Sequence, residues 1–301
     1  MPTISDLLRR ATIDPREAEL LLAYTLDRDR PFILAHKSDA VDTKVAQRFL
    51  ALLKRRQKHE PIAYLVGSQP FFGREFGVNR RVLIPRPETE VLVGLVKQYI
   101  ARCSVLGTRY SILDIGTGSG CLAITLALEY PKAKVIASDV SDAVLKIARQ
   151  NAKRLEADVT FVKDNLLGKK LLSVIPAKAG IQKNNQKQNR MDPRVRKDDN
   201  RVVFVANLPY LPASDKKTTM PDVVKFEPSK ALFAGRDGTE LIVKLLKQIR
   251  MLNVECSMFL ELDPRQTKKL TALARQLFPK HKVTLERDLC GRERFLIIKP
   301  S

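Results

Sequence analysis

No run of apolar residues in this chain approaches the length of a membrane span. The start, Met1-Pro2-Thr3-Ile4-Ser5-Asp6, lacks the basic-then-apolar pattern of a secretion signal. A cytoplasmic enzyme or binding protein without membrane association is therefore expected. Cysteine is scarce: Cys103, Cys121, Cys256 and Cys290 lie far apart and show no metal-ligand spacing. Histidine is scarcer, with 3 scattered residues, so no metal site is expected and the thiols read as buried. Acidic residues are in deficit, 33 against 54 Lys and Arg, for a net charge of +21. That imbalance suits an acidic partner or a nucleic-acid-rich setting, yet solvated lysine faces give the same sum, so charge alone decides nothing. A length of 301 residues with 44% apolar content supports one large domain or two modest ones, each with its own core.

Residues 1–70 read as a small helical domain. Asp14-Pro15 supplies an N-cap and a first-turn proline, followed by apolar residues at helical spacing. A second helix is expected over 41–58, with Val45, Phe49, Leu52 and Leu53 on one face and basic residues at its end, where they suit the helix dipole. From residue 60 the texture changes, and glycines between apolar pairs predict a β-hairpin linker over 71–87. Beyond residue 88 apolar strand-like runs alternate with helical periods, which demands a mainly parallel sheet with helices on both faces. Two late strands, 282–287 and 294–299, are joined by so short a turn that they must be antiparallel. The segment 169–201 fits neither pattern. Gly168 to Arg201 holds 10 Lys and Arg against 3 Asp and no apolar periodicity, and reads as a disordered basic insertion. Its Val174–Gln182 peptide resembles the translated product of a bacterial repeat element, and deletion of 170–200 is expected to be tolerated.

The chemistry concentrates at strand ends. Val202-Val203-Phe204-Val205-Ala206 is a buried parallel strand running into Asn207-Leu208-Pro209-Tyr210. In open α/β sheets ligands bind beyond the carboxyl ends of the strands. Gly116, Thr117, Gly118, Ser119 and Gly120 follow another strand, where glycines let the backbone approach a ligand closely. Asp139 ends the next strand, where a carboxylate can accept from both ribose hydroxyls. Asp164 and Asn165 end the third and would flank an adenine. The Gly-x-Gly-x-Gly spacing differs from the Gly-x-Gly-x-x-Gly dinucleotide fingerprint and looks like the cofactor loop of S-adenosylmethionine-dependent methyltransferases. Asn207-Leu208-Pro209-Tyr210 resembles the Asn-Pro-Pro-Tyr motif of methyltransferases acting on planar nitrogens. An amide nitrogen is a poor nucleophile because its lone pair is delocalised. The Asn207 oxygen and the Leu208 carbonyl could accept its two protons while Tyr210 packs on its plane.

The order of further motifs narrows the resemblance. Glu60-Pro61-Ile62-Ala63-Tyr64-Leu65-Val66-Gly67, Leu83-Ile84-Pro85-Arg86-Pro87-Glu88-Thr89-Glu90, the glycine loop, Asn-Leu-Pro-Tyr, Glu227-Pro228-Ser229-Lys230-Ala231-Leu232, Asp237-Gly238 and Asp288-Leu289-Cys290-Gly291-Arg292 follow one another as in the release-factor glutamine methyltransferases of the PrmC/HemK type. The resemblance implies a helical N-terminal substrate-docking domain, a hairpin and a seven-stranded Rossmann-like methyltransferase domain over 88–301. It implies S-adenosylmethionine as methyl donor, held by Gly116–Gly120, Asp139, Asp164, Asn165 and Asn207. Asn207 and Tyr210 would be catalytic, with Asn207, Leu208, Pro209 and Tyr210 holding the substrate. The acceptor implied is the glutamine amide of the Gly-Gly-Gln motif of class I peptide chain release factors. A monomer without direct nucleic-acid contact is expected.

Three departures stand out. Leu208 replaces a proline of the motif, with activity expected to survive because only its carbonyl is needed. Asn165 stands where an aromatic residue often lies beside the adenine, so weaker cofactor binding is expected. Glu261-Leu262-Asp263 lacks the usual glycine. Alternatives remain: a DNA adenine-N6 methyltransferase, which would need base flipping; a ribosomal-protein glutamine methyltransferase, whose matching segment resembles Pro-Arg-Ser-Pro; and a non-catalytic binding protein. A nicotinamide dehydrogenase is disfavoured by the glycine spacing.

Overall fold

The computed structural model describes residues 1–103, 109–175, 200–252 and 254–301. Five helices come first: α1 (Ile4–Arg9), α2 (Pro15–Leu26), α3 (Arg30–Ala35), α4 (Thr43–Arg56) and α5 (Ile62–Val66). Side-chain caps start several of them. Asp14 accepts from the backbone N–H groups of Arg16 and Glu17, and Asp42 from those of Lys44 and Val45. Leu21, Leu22, Ile33, Phe49, Leu53 and Leu65 form the core of this module. Glu60, buried just before α5, accepts a two-pronged contact from Arg55 at 2.8 Å and another from Arg80 at 2.7 Å. The Arg55 contact comes first in holding its carboxyl below the usual range, and the pair of arginines fastens the helical module to the chain beyond the hairpin.

The hairpin lies at β1 (Ser68–Phe71) and β2 (Arg74–Gly77), turning at Phe72-Gly73, both with positive φ. It therefore starts earlier than the expected 71–87, and residues 78–86 carry no regular element. Phe71 and Phe76 pack edge to face at 5.9 Å and are buried among core residues of the following domain. Asn151 completes the attachment. Its amide donates to Gly77 O and Ser119 O, and its oxygen accepts from Gly77 N.

The rest alternates as periodicity demands: α6 (Pro87–Cys103), β3 (Arg109–Ile115), α7 (Cys121–Glu129), β4 (Lys134–Asp139), α8 (Asp142–Arg154), β5 (Thr160–Lys163), α9 (Lys169–Val174) and β6 (Asn200–Ala206). Then follow α10 (Pro221–Phe226), α11 (Ser229–Leu232), α12 (Glu240–Leu252), β7 (Cys256–Glu261), α13 (Thr267–Leu277), β8 (His281–Arg287) and β9 (Glu293–Pro300). The seven strands order as β5-β4-β3-β6-β7-β9-β8, parallel except for β9. Strand order reverses between β3 and β6, the switch point at which such sheets open a ligand crevice. Alternate residues supply opposite layers: Ile112, Val203 and Val205 face α6 and α7, while Leu113, Val202 and Phe204 face α12 and α13. No helix among the described residues is long and apolar enough to cross a membrane.

The insertion expected over 169–201 needs correction at both ends. Residues 169–174 form α9, with Leu171 fully buried and Ile175 beside it in the sheet core. Asn200 and Arg201 already belong to β6. Deleting 170–200 would remove this plug and the start of a central strand, so tolerance is no longer expected. Residues 176–199 lie outside the described residues. Truncation of Leu171 to Ala is expected to cost about 2–5 kcal/mol, read as a lowered thermal-unfolding midpoint. An unchanged midpoint would show that α9 is not part of the core.

Candidate functional site

The carboxyl ends of β5, β4, β3, β6 and β7 form one edge, and the sequence-predicted residues are spread along it. Asp164 N–H donates to Asp139 O at 3.1 Å, joining the first two strand ends, and Gly116 N–H and Thr117 N–H donate to Ser138 O. Gly116, Gly118 and Gly120 all have positive φ, which turns the chain sharply from β3 into α7. A side chain at Gly116 would put its Cβ 2.7 Å from Leu208 Cδ2, so the turn after β3 and the turn after β6 are in direct contact. In front of Gly118 the space is open, and its N–H points at Asp139 Oδ2 at 3.3 Å.

Two carboxyls brace the loop. Buried Asp114 accepts from Thr117 Oγ1 at 2.6 Å and Ala123 N–H at 3.2 Å through one oxygen. Its other oxygen, Oδ1, is buried without a partner among the described residues. Burial pushes this carboxyl up to about 7, against the pull of both hydrogen bonds. Asp139 is raised by burial as well, while accepting from Ser141 N–H and Gly118 N–H.

Beside Gly116, Asn207 Nδ2 donates to Thr89 Oγ1 at 2.9 Å. Thr89 Oγ1 in turn donates to Glu261 Oε2 at 2.8 Å, and Tyr210 OH donates to Glu261 Oε1 at 3.4 Å. Thr89 is 2% exposed and Glu261 is 1% exposed. Burial drives Glu261 up to about 7, while Thr89 and the Arg294 charge draw it down. Burial also raises the Tyr210 phenol, with the Glu261 charge adding to it. The turn is held from behind by Gln266, whose Nε2 donates to Tyr210 O at 2.7 Å and Asp237 O at 3.0 Å. A side chain at Gly238 would meet Tyr210 O at 2.0 Å, which accounts for glycine there.

The structure thus brings Gly116–Gly120, Asp139, Asn207, Leu208 and Tyr210 to one stretch of the edge. Asp164 and Asn165 sit at its far end, but the Asp164 carboxylate is turned onto the backbone N–H groups of Asn165 and Leu171, bracing α9, while Asn165 is exposed. Pro209 is half-buried between the groups that matter. Two residues that the motifs did not single out complete the site: Glu261 is linked to Asn207 through the Thr89 hydroxyl. Thr89 and Glu261 carried a readable signal. Thr89 lies within the Leu83–Glu90 motif, and Glu261 is an acidic residue closing a mostly apolar strand.

The buried carboxyls have a consequence for stability. A carboxyl raised on folding binds its proton more tightly in the folded chain. Its contribution therefore favours folding at low pH and declines as pH rises from about 4 through about 7. Replacing Glu261 with Gln removes one such group. The unfolding midpoint of the variant relative to the natural chain is expected to rise between about pH 4 and about pH 7. A difference that stays constant across that range would show that Glu261 is not buried as a carboxyl.

Comparison with known proteins adds what geometry does not carry. A PrmC N-terminal domain model matches residues 3–67 and a methyltransferase domain model matches residues 112–173. The release factor glutamine methyltransferase of Koribacter versatilis is 36% identical over 239 residues, covering 79% of this chain and 75% of that protein. That of Bacillus cereus is 30% identical over 293 residues, covering 97% and 95%. Among solved structures, the N-terminal domain of human METTL16 in complex with SAH has a TM-score of 0.50 at 16% identity, covering 92% of this chain and 93% of that one, which speaks to fold alone. With relatives of this identity matched along most of their length, the chain belongs to the release factor glutamine methyltransferase family.

Proposed function

We propose that this chain transfers a methyl group from S-adenosylmethionine to the side-chain amide nitrogen of the glutamine in the Gly-Gly-Gln motif of class I peptide chain release factors. The observation that carries the reading is the commitment of the Asn207 amide nitrogen to Thr89, which leaves the side-chain oxygen as acceptor in a turn whose next residue, Leu208, packs its side chain on Gly116 of the glycine loop.

The residues present fit the donor. The open space before Gly118 admits a ligand against bare backbone, and the unpartnered Asp114 Oδ1 is a buried acceptor behind the loop. Gly116–Gly120 would hold the methionine part and Asp139 the ribose hydroxyls. Its two occupied sites leave further carboxylate lone pairs to accept with. With the Asp164 carboxylate spent on α9, the Asn165 side chain is the group left to lie beside the adenine. When bound, S-adenosylmethionine supplies a methyl group carried on a positively charged sulfur.

The chain's own task is the acceptor. Asn207 Oδ1 and Leu208 O accept the two amide protons, which fixes the nitrogen in one orientation and draws electron density toward it. Tyr210, tethered to Glu261, covers the amide plane. Orientation of this kind is worth up to ~7–11 kcal/mol in the best intramolecular cases. Once methylated the nitrogen carries a surplus proton. Glu261 is shut behind Thr89 and Tyr210, so water at the open edge takes it.

The test pairs labelled S-adenosylmethionine with a class I release factor, the same factor lacking its Gly-Gly-Gln glutamine, and duplex DNA. Label is expected on the intact factor alone; label on DNA alone, or on the altered factor, would contradict the proposal. Asn207→Ala is expected to lower kcat by about 10²–10³-fold, the scale of losing one preorganised hydrogen bond at a reacting centre. Cofactor affinity, measured by titration, should stay close to that of the natural chain.

A further inference from the structure

A side-chain amide has two ends of nearly equal shape and opposite hydrogen-bonding sense, so an asparagine that holds an NH2 group works only when its oxygen faces the acceptor. Rotated by half a turn, it would present a donor to a donor. Something must therefore hold Asn207 the right way round. Taking Asn207 as the group that holds the acceptor amide, we propose that Thr89 and Glu261 are positioning residues that fix its polarity. They form a one-way relay in which Asn207 can only donate inward and therefore only accept outward.

The logic lies in how many protons each member has. Glu261, when ionised, offers only acceptor oxygens, and Oε2 lies 2.8 Å from Thr89 Oγ1. A hydroxyl has a single proton, and that carboxylate claims it. The lone pairs of Thr89 then face Asn207 at 2.9 Å and can be met only by the Nδ2 hydrogens. A flipped amide would set its oxygen against those lone pairs, leaving the buried Thr89 oxygen without the donor it now has. Water cannot rescue the flipped state, because Thr89 and Glu261 are both closed to solvent. The carboxyl is held in place from several sides, and the ionised form that the relay needs prevails above the pH of about 7 to which burial raises it. Tyr210 OH donates to its second oxygen, and Arg294 contributes a positive charge. Arg294 is itself anchored to Asp288 at 2.9 Å. Against these stand its own burial and the negative charge of Glu88.

The relay also restricts what the site accepts. With its oxygen turned outward, Asn207 pairs with a group that has protons to give, an amide or exocyclic NH2, and repels a carboxylate or carbonyl oxygen placed at the same point. A glutamate in place of the acceptor glutamine is thus refused at the level of Asn207, before any question of nucleophilicity.

The experiment compares Thr89→Val, which keeps the branched shape and loses the hydroxyl, with Thr89→Ser, which keeps the hydroxyl. A class I release factor serves as substrate, and kcat, KM for the factor, affinity for S-adenosylmethionine and the unfolding midpoint are measured. Thr89→Val is expected to lose about 10–100-fold in kcat, the cost of a misdirected hydrogen bond, with cofactor affinity little changed. Thr89→Ser is expected to restore most of the rate. Equal kcat for the natural chain and Thr89→Val overturns the relay, as does a Ser variant as slow as the Val variant. Neutron diffraction of the free natural chain gives a reading that needs no activity. Hydrogens on Asn207 directed at Thr89, with the Thr89 hydroxyl hydrogen directed at Glu261, support the relay; the reverse arrangement overturns it. If the natural chain fails to label the factor while the neutron map shows the inward donation, the acceptor assignment falls and the relay stands.

Discussion

A carboxylate buried at the end of an apolar strand has to be answered by hydrogen bonds, and the answers to Glu261 organise the whole reactive edge. One oxygen takes the Thr89 hydroxyl and through it orders Asn207; the other takes the Tyr210 hydroxyl. Removing a partner from so buried a carboxyl is costly, so each of these groups is held in place by the same demand. The two turns that meet there, after β3 and after β6, touch through Gly116 and Leu208. The glycine loop and the Asn207–Tyr210 turn are thus set against each other by packing.

Seen from this edge, segments far apart in the chain have a common purpose. Glu227 accepts from Ile84 N–H and pairs with Arg86, which holds the irregular segment leading to Thr89. Asp288 accepts from Cys290 N–H, Arg292 N–H and Arg294 Nε, which places the Arg294 charge near Glu261. Gln266 and Gly238 fit the chain around Tyr210. On the other side, Asn151 joins the hairpin to Ser119 in the glycine loop, and Glu60 joins the helical module to Arg80. The helical module is therefore connected to the reactive edge through successive polar contacts.

Much of this was legible in the residues. Helix and strand periods marked the alternation from β3 to β9 and the antiparallel final pair. Glycine spacing, an acid closing β4 and Asn207-Leu208-Pro209-Tyr210 marked residues that the fold brings to one edge of the sheet. Topology beyond neighbouring elements was not legible: nothing local says that β9 enters between β7 and β8, because that pairing depends on contacts distant in sequence. Two misreadings have physical causes. At α9 the charge run dominated, although Leu171, Leu172, Val174 and Ile175 have helical spacing. At residues 78–86 apolar residues next to glycines look like a strand, but the Ile84 N–H is spent on a glutamate side chain rather than a ladder. Glu261 was overlooked because a hydrogen-bond relay through Thr89 spans 172 positions of sequence, which no motif spacing reveals.

The central claim is that Asn207 and Leu208 grip an amide NH2 beside the glycine loop. The most direct measurement is a crystal structure of the chain with S-adenosylhomocysteine and a peptide carrying Gly-Gly-Gln. The account predicts the glutamine nitrogen within hydrogen-bonding distance of both Asn207 Oδ1 and Leu208 O, with Thr89 still bridging Asn207 to Glu261. A glutamine seated elsewhere, or one whose amide oxygen faces Asn207, would contradict it.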